Sequence, residues 1–142
     1  MVLSAVFVTG SDRLLFECAE MMQKQGYEEP TGTAKITKAY NLPSRYVIHT
    51  VGPIIKDGLR KKDCELLKKC YLSCLNLATE YNLESVAFCC ISTGEFHFPN
   101  DKAAEIAVDT VTEFMKLETS VKKVIFNVFK DVDKEIYSGL LQ

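Results

Sequence analysis

The order of predicted elements favours an α/β fold, a three-layer α/β/α sandwich around a mixed, mostly parallel sheet. Short apolar segments rich in β-branched residues alternate with longer segments whose apolar residues recur every three or four positions. Ser85–Ile91 and Lys123–Phe129 are nearly continuous apolar runs, which is typical of strands covered by helices on both faces. The length of 142 residues suits one domain, so we expect a single domain over residues 1–142.

The elements follow one another in a regular order. The predicted strands are Leu3–Val8, Ala34–Tyr40, Tyr46–Val51, Ser85–Ile91 and Lys123–Phe129. The predicted helices, which show apolar residues at helical spacing, are Ser11–Gln25, Asp63–Tyr81, Asp101–Leu117 and Asp131–Leu141. Because later strands are separated by helices, parallel βαβ pairing follows, with Ala34–Tyr40 as the antiparallel candidate.

Composition excludes several classes of protein. Hydrophobic residues make up 47% and charged residues 25%, which are ordinary values for a globular domain. A net charge of -2 argues against a broad nucleic-acid-binding surface. No apolar run approaches the roughly 20 residues of a membrane span. The first residues carry no basic region typical of a secretory signal, so we expect a cytoplasmic chain with no nucleic-acid or membrane partner.

The chain has six cysteines, which we interpret as reduced core residues because thiols inside cells stay reduced. Cys70 and Cys74 are spaced i,i+4 and share one face of a predicted helix. A zinc site formed by these two thiols and one of the two histidines is the alternative. The spacing is less regular than in known zinc motifs, which favours packing.

The segment Cys90–Asn100 is the candidate ligand-binding loop. It follows a predicted central strand and precedes a helix, a position where α/β sheets bind ligands. Ser92 and Thr93 offer hydroxyls, and the backbone near Gly94 can approach a phosphate because no side chain blocks it. The segment lacks the glycine-rich phosphate motifs, so an ordinary strand-to-helix turn is the alternative.

Four other residues have a functional and a structural interpretation. His97 suits acid–base chemistry or packs the loop as a half-buried ring, and Glu95 is a base, a ribose contact or an exposed carboxylate. His49 lies within a strand, where a core or interface role is favoured. Phe129 ends the last predicted strand, on the same edge as the Ser92 loop, where it stacks on a nucleobase or caps the sheet.

Several strings, in their order and spacing, resemble a macrodomain. They are Gly32–Pro43, Tyr46–Pro53, Cys70–Leu75 and Ile91–Pro99. The run Phe88–Pro99 is most similar to the zinc-dependent, sirtuin-associated macrodomain hydrolases, and the resemblance extends over about Gly10–Tyr137.

The resemblance implies recognition of ADP-ribose or of ADP-ribosylated protein. The family's diphosphate and distal-ribose loop matches Ser92, Thr93, Gly94, Glu95 and Phe96, with Phe96 beside the ribose. Asn127 and Phe129 match the adenine side.

The sequence also departs from the family pattern. The adenine-reading Asp, the catalytic Asn and the zinc ligands have no matching positions, so we assign no catalytic residue, no metal ligand and no cofactor to this chain. We expect an N-terminally shortened macrodomain of protein-ADP-ribose hydrolase descent, with weak ADP-ribose binding and little hydrolysis. It lacks the family's first strand, for which Leu3–Val8 is the candidate substitute. A non-catalytic ADP-ribose or nucleotide-binding module and an inactive fragment are the alternatives.

Overall fold

The computed structural model describes residues 23–26, 30–38, 44–94 and 96–142. The strands are β1 (Ala34–Lys38), β2 (Tyr46–Thr50), β3 (Ser85–Phe88) and β4 (Lys123–Phe126). The helices are α1 (Lys61–Glu80), α2 (Asn100–Met115) and α3 (Asp131–Leu140). Of these described helices, none is both long enough and apolar enough to cross a membrane.

The predicted elements within the described residues are all present, and each end lies within three residues of its predicted position. The predicted strand Leu3–Val8 and most of the predicted helix Ser11–Gln25 lie outside the described residues, although Gln23–Gln25 is helical. β3 ends earlier than predicted because its partner strand β4 also ends early, and the pairing stops where both strands stop. The N–H of Asn127 donates to the carbonyl of Phe88 at 2.7 Å, and the chain then turns.

The strand pairing confirms a mixed arrangement of antiparallel and parallel strands. β1 pairs with β2 in antiparallel fashion, with Ile36 opposite Ile48. β3 pairs with β4 in parallel, with Ala87 opposite Ile125, and α2 lies between them in the chain as the crossover helix. Within the described residues the strands therefore form two two-stranded sheets.

The core lies between the helices and one face of the strands. Tyr71 of α1 packs on Phe88 with ring centroids 4.9 Å apart, and Phe126 packs on Tyr137 of α3 at 5.0 Å. The rings of Phe88 and Phe126 stack on each other across the β3–β4 pair. α1 and α3 therefore cover the same face. The helical spacing of apolar residues predicts that Leu66, Leu67, Cys70, Tyr71, Cys74, Leu75 and Ala78 form the core-facing stripe of α1. All of them are buried except Leu66, which is half-buried.

The opposite face of β3 and β4 differs from expectation. The near-continuous apolar pattern predicted burial on both faces, yet burial alternates along β3 and Ile125 of β4 is 44% exposed. Successive side chains of a strand point to opposite faces, so this alternation means that one face of the pair is open. The prediction of full burial for these two strands is therefore wrong, because apolar sequence alone does not report what covers each face.

α1 begins two residues before its predicted start because Asp63 satisfies the helix N-terminus. Its carboxylate accepts a hydrogen bond from the backbone N–H of Arg60 at 3.0 Å. The same carboxylate forms an ion pair with the Arg60 guanidinium at 3.1 Å. This reciprocal cap satisfies a donor that the helix itself leaves unpaired. The hydrogen bond from the Arg60 side chain lowers the pKa of Asp63 below its ordinary value.

Candidate functional site

The loop between β3 and α2 lies at the carboxyl end of β3, as predicted. Because β3 and β4 are parallel and in register, the residues that follow β4 leave the sheet at the same edge. The hydrogen bond from Asn127 to Phe88 marks the point where both strands end. The Ser92 loop and the Asn127–Phe129 segment are thereby brought to one edge of the molecule.

The loop is closed by hydrogen bonds of its own. The N–H of Phe98 donates to the Ser92 carbonyl at 2.9 Å, and the N–H of His97 donates to the Gly94 carbonyl at 3.1 Å. The N–H of Ile55 donates to the Phe96 carbonyl at 2.9 Å and so ties the loop to the segment after β2. The sequence gives no sign of this tie, since its two residues are far apart in the chain and the bond uses only backbone atoms.

Two residues of the loop have left-handed backbone conformations. Ser92 has a φ of 65° and His97 has a φ of 62°. A non-glycine residue in this region costs about 1–2 kcal/mol, because its Cβ approaches the following carbonyl oxygen. Such strain persists only where the surroundings hold it, and it concentrates at functional sites. The loop therefore has a fixed shape that costs folding energy.

The two predicted hydroxyls have different environments. The Thr93 hydroxyl donates to the Cys90 carbonyl at 3.1 Å and so stabilises the turn. Ser92 is 4% exposed, and within the described residues its hydroxyl oxygen is buried without a hydrogen-bond partner. Leaving a buried hydroxyl unsatisfied costs about 1–3 kcal/mol. Ser92 is thus the loop residue with unused hydrogen-bonding capacity.

Gly94 is exposed, and a Cβ added there would meet no atom within 4 Å. The backbone at this position is open to a ligand, which agrees with the reason for singling out the glycine. Glu95, the next predicted contact, lies outside the described residues.

The aromatic residues that flank His97 point away from solvent. Phe96 is 8% exposed and Phe98 is 1% exposed, whereas His97 itself is exposed. The interpretation of His97 as a half-buried ring that packs the loop is therefore wrong, since its two neighbours supply that packing. His49 is 3% exposed and shares a hydrogen bond of 2.9 Å with the Thr37 hydroxyl, which confirms its core position.

The segment after β4 presents an open aromatic ring. Phe129 is 99% exposed, so the alternative interpretation of this ring as a cap over the sheet end is wrong. The side chain of Asn127 is exposed as well, while its backbone extends the pairing with β3. Both residues are free to contact a ligand from this edge.

α2 begins directly after the loop, at Asn100. The Asn100 amide donates to the carboxylate of Asp133 at 2.6 Å, and Asp133 is itself 5% exposed in the first turn of α3. This pair joins the starts of two helices beside the loop. No sequence pattern indicates this pair, because neither residue lies on an apolar stripe.

The cysteines were the alternative metal ligands. In the described part of the chain, no three residues of the metal-binding types come together as a group that could hold an ion. The Cys70 thiol donates to the Val51 carbonyl at 3.3 Å, and burial raises the pKa of the Cys74 thiol. Zinc binds the thiolate form. The described residues therefore do not fit the zinc site that the spacing of Cys70 and Cys74 left as an alternative, and no chemistry here is assigned to a metal.

Comparison with known proteins agrees with this geometry. The chain is 58% identical over 124 residues to a protein-ADP-ribose hydrolase of Treponema medium, a match that covers 87% of this chain and 48% of that protein. It is 56% identical over 122 residues to a protein-ADP-ribose hydrolase of Staphylococcus aureus, with 85% of this chain and 46% of that protein covered. The chain thus spans about half the length of the curated relatives it matches.

Solved structures show the same fold. A macrodomain of Oceanobacillus iheyensis with ADP superposes with a TM-score of 0.85 at 38% identity, over 92% of this chain and 69% of that one. A Trypanosoma brucei macrodomain in complex with ADP-ribose gives a TM-score of 0.73 at 36% identity, over 80% of this chain and 47% of that one. These neighbours confirm the predicted α/β sandwich class. The Macro domain family model matches residues 2–107, and the chain belongs to the macro domain family.

Proposed function

We propose that this chain recognises ADP-ribose on proteins through Ser92, Thr93, Gly94 and Phe96 together with Asn127 and Phe129. The observation that carries the proposal is the convergence of two segments at one sheet edge: a strained loop with an unsatisfied buried hydroxyl, and a fully exposed aromatic ring. Similar macrodomain structures contain ADP or ADP-ribose, and relatives are named protein-ADP-ribose hydrolases, which supports this ligand class.

The chemistry of the loop suits a diphosphate. The net charge of -2 gives no general attraction for anions, so local donors have to hold the phosphates. Backbone N–H groups near an open glycine provide such donors, as in other phosphate-binding concavities. Gly94 has this openness.

The other end of the ligand is a nucleobase, and Phe129 is placed to stack on it. An exposed aromatic ring offers a flat apolar surface that pairs with any base. The Asn127 side chain, two residues earlier, adds amide hydrogen-bonding groups at the same edge. The family resemblance assigns the distal ribose to Phe96, whose carbonyl accepts a hydrogen bond from the N–H of Ile55.

We propose recognition with hydrolysis slower than in the longer relatives. The described groups supply hydrogen-bond donors and aromatic surface, which are means of binding, and we assign none of them a catalytic role. A non-catalytic ADP-ribose-binding module is therefore the second candidate function.

Calorimetry with ADP-ribose, paired with a turnover assay on mono-ADP-ribosylated protein, tests both candidates. Binding with slow turnover supports the first proposal, and binding with no turnover supports the module. Turnover as fast as that of a longer relative contradicts slow hydrolysis. Absence of binding at millimolar ADP-ribose overturns the proposal as a whole.

We also propose that the protein works in the cytoplasm. Among the described residues, no cysteine forms a disulfide bond with another, which suits a reducing compartment. Cell fractionation with an antibody against the chain tests this, and recovery of the chain mainly in a secreted or membrane fraction would contradict it.

A further inference from the structure

The charged residues are unevenly distributed along the chain. Residues 35–69 include nine basic and three acidic residues, a net charge of +6. The rest of the chain has eight basic and sixteen acidic residues, a net charge of -8. The overall net charge of -2 conceals this difference. A local excess of one sign of charge attracts partners of the opposite sign even when the net charge of the protein is small.

Most cations of residues 35–69 are exposed and have no carboxylate beside them. Arg60 is the exception, since its guanidinium forms an ion pair with Asp63. Among the described residues, no ion pair is formed by the exposed lysines of this region, which are Lys35, Lys38, Lys56, Lys61, Lys62, Lys68 and Lys69. The start of α2 differs, because Lys102 there pairs with Glu105. The lysines of residues 35–69 are therefore free to attract a carboxylate from another molecule.

One part of this region lies beside the candidate loop. The N–H of Ile55 donates to the Phe96 carbonyl at 2.9 Å, and Lys56 is the next residue. We name residues 56–62 the basic segment, because it contains four cations and one carboxylate, that of Asp57. Consecutive Cα atoms are about 3.8 Å apart, so Lys56 starts within about 10 Å of the Phe96 carbonyl. That distance is about one Debye length, over which water and salt screen a charge only in part.

The end of the basic segment is held in place by the start of α1. Lys61 and Lys62 are the first two residues of this helix, and the hydrogen bonds between Arg60 and Asp63 fix the point where it begins. The N-terminus of a helix adds the partial positive charge of its peptide dipoles to that of the side chains. The basic segment is thus a fixed region of positive charge next to the loop.

The position of the basic segment indicates which part of a substrate it meets. In an ADP-ribosylated protein the side chain is joined to the distal ribose, which the family resemblance assigns to Phe96. The modified protein therefore leaves the site beside Ile55 and the basic segment. We infer that the basic segment binds carboxylates of the modified protein, so that the chain prefers ADP-ribose attached within acidic stretches. The inference rests on the proposed function, because it requires ADP-ribose in the loop.

Calorimetry of the full chain with three ADP-ribosyl peptides tests this preference. The peptides have equal length and carry ADP-ribose at their centre through a non-hydrolysable link to the distal ribose. They differ only in the flanking residues, which are glutamate, serine or lysine. Exposed ion pairs are individually weak, so several of them should make the glutamate peptide bind about tenfold more tightly than the serine peptide at low salt. The lysine peptide should bind more weakly than either.

Screening by salt gives a second readout in the wild type. The preference for the glutamate peptide should shrink below about twofold at 0.5 M salt, because the Debye length falls as the ionic strength rises. Equal affinity of the glutamate and serine peptides at low salt overturns the inference without any variant.

The double variant Lys56→Glu/Lys62→Glu reverses two charges of the basic segment. We expect it to lose the preference for the glutamate peptide, measured as the ratio of the peptide's affinity to that of free ADP-ribose. Glutamate in the first turn of a helix is favourable, so α1 accepts the change. Lys122→Glu/Lys123→Glu is the matched control: it changes the net charge equally at the start of β4, the end of the strand opposite the loop. Loss of the preference in both variants overturns the inference.

Free ADP-ribose separates a failure of this inference from a failure of the proposed function. A wild type that binds free ADP-ribose but does not distinguish the three peptides keeps the proposed function and contradicts the inference. A wild type that binds neither free ADP-ribose nor any peptide contradicts both. An RNA oligonucleotide that binds the wild type more tightly than the glutamate peptide, and loses this binding in Lys56→Glu/Lys62→Glu, would assign the basic segment to nucleic acid and overturn the inference.

Discussion

The N–H of Phe98 donates to the carbonyl oxygen of Ser92 at 2.9 Å and closes the candidate loop on the residue that carries its left-handed φ of 65°. Phe98 is 1% exposed, so the bond is anchored in the core. The buried ring holds Ser92 in a conformation that its own side chain disfavours. The loop's shape is therefore maintained by core packing.

Ser92→Gly should leave the protein as stable as the wild type or raise its free energy of unfolding by about 1 kcal/mol, because glycine adopts positive φ without strain and carries no unsatisfied hydroxyl. Urea unfolding measures this change. His97→Gly is the matched control, since His97 has nearly the same φ, of 62°, but an exposed side chain. If Ser92→Gly lowers the free energy of unfolding by more than about 1 kcal/mol, the Ser92 hydroxyl has a stabilising partner.

Gly94→Asp should weaken ADP-ribose binding at least tenfold without changing stability. A Cβ at this position meets no atom within 4 Å, so the fold accepts the side chain. The new carboxylate repels a diphosphate held against the loop backbone. Calorimetry gives the affinity, and Gly94→Ala is the uncharged control, for which we expect a smaller loss. Equal affinity in the aspartate variant and the wild type would remove the loop from the binding site.

Phe129→Ala should lower ADP-ribose affinity about 5- to 150-fold, the effect of losing one aromatic–base stack worth about 1–3 kcal/mol. The ring is 99% exposed and contributes little to packing, so the free energy of unfolding should stay within about 0.5 kcal/mol of the wild type. Phe129→Tyr keeps the stacking surface and should keep the affinity. Leu117→Ala, at another exposed apolar residue, controls for nonspecific effects.

Asp63→Ala should destabilise the protein by about 1 kcal/mol at neutral pH, because the backbone N–H of Arg60 loses its acceptor. The folded-state pKa of Asp63 is lowered, so its contribution is present above the unfolded pKa of about 3.9 and is lost as pH falls through the folded pKa. Urea unfolding between pH 7 and pH 3 should therefore show the wild type and Asp63→Ala converging in acid. If the difference in free energy of unfolding between the wild type and Asp63→Ala stays constant down to pH 2, the Asp63 carboxylate is not the cause of that difference.

The buried thiols should make the protein sensitive to alkali. Burial raises the pKa of Cys74, and it raises the pKa of Cys90 to about 11. A raised folded pKa gives stability that is present below the unfolded pKa of about 8.5 and is lost as pH rises through the folded value. The free energy of unfolding of the wild type should fall above a pH of about 8.5, and that of Cys90→Ser should fall less steeply. If the free energy of unfolding depends on pH in the same way in Cys90→Ser and in the wild type, the Cys90 thiol does not cause the sensitivity to alkali.

The order of strands and helices could be predicted because it depends on local patterns. The apolar stripe of α1 and the position of the loop after β3 both follow from spacing within a few turns of chain. The strand ends were less predictable, since β3 stops where β4 stops, and a ladder needs both partners.

Exposure was the hardest property to predict. His97 and Phe129 are both exposed although packing was a reasonable interpretation of each, and Ile125 is open although its run is apolar. Whether a side chain is covered depends on elements distant in sequence, which no local pattern contains.

The sequence by itself determined the fold class, the macrodomain resemblance and the segments from which a ligand site would be built. Only the tertiary structure decided that Ser92 is buried with an unsatisfied hydroxyl, that Phe129 is free to stack, and that the basic segment lies beside the loop. The physical reason is that spacing along the chain sets backbone conformation locally, whereas burial, strain and the neighbours of a loop are decided when distant segments meet.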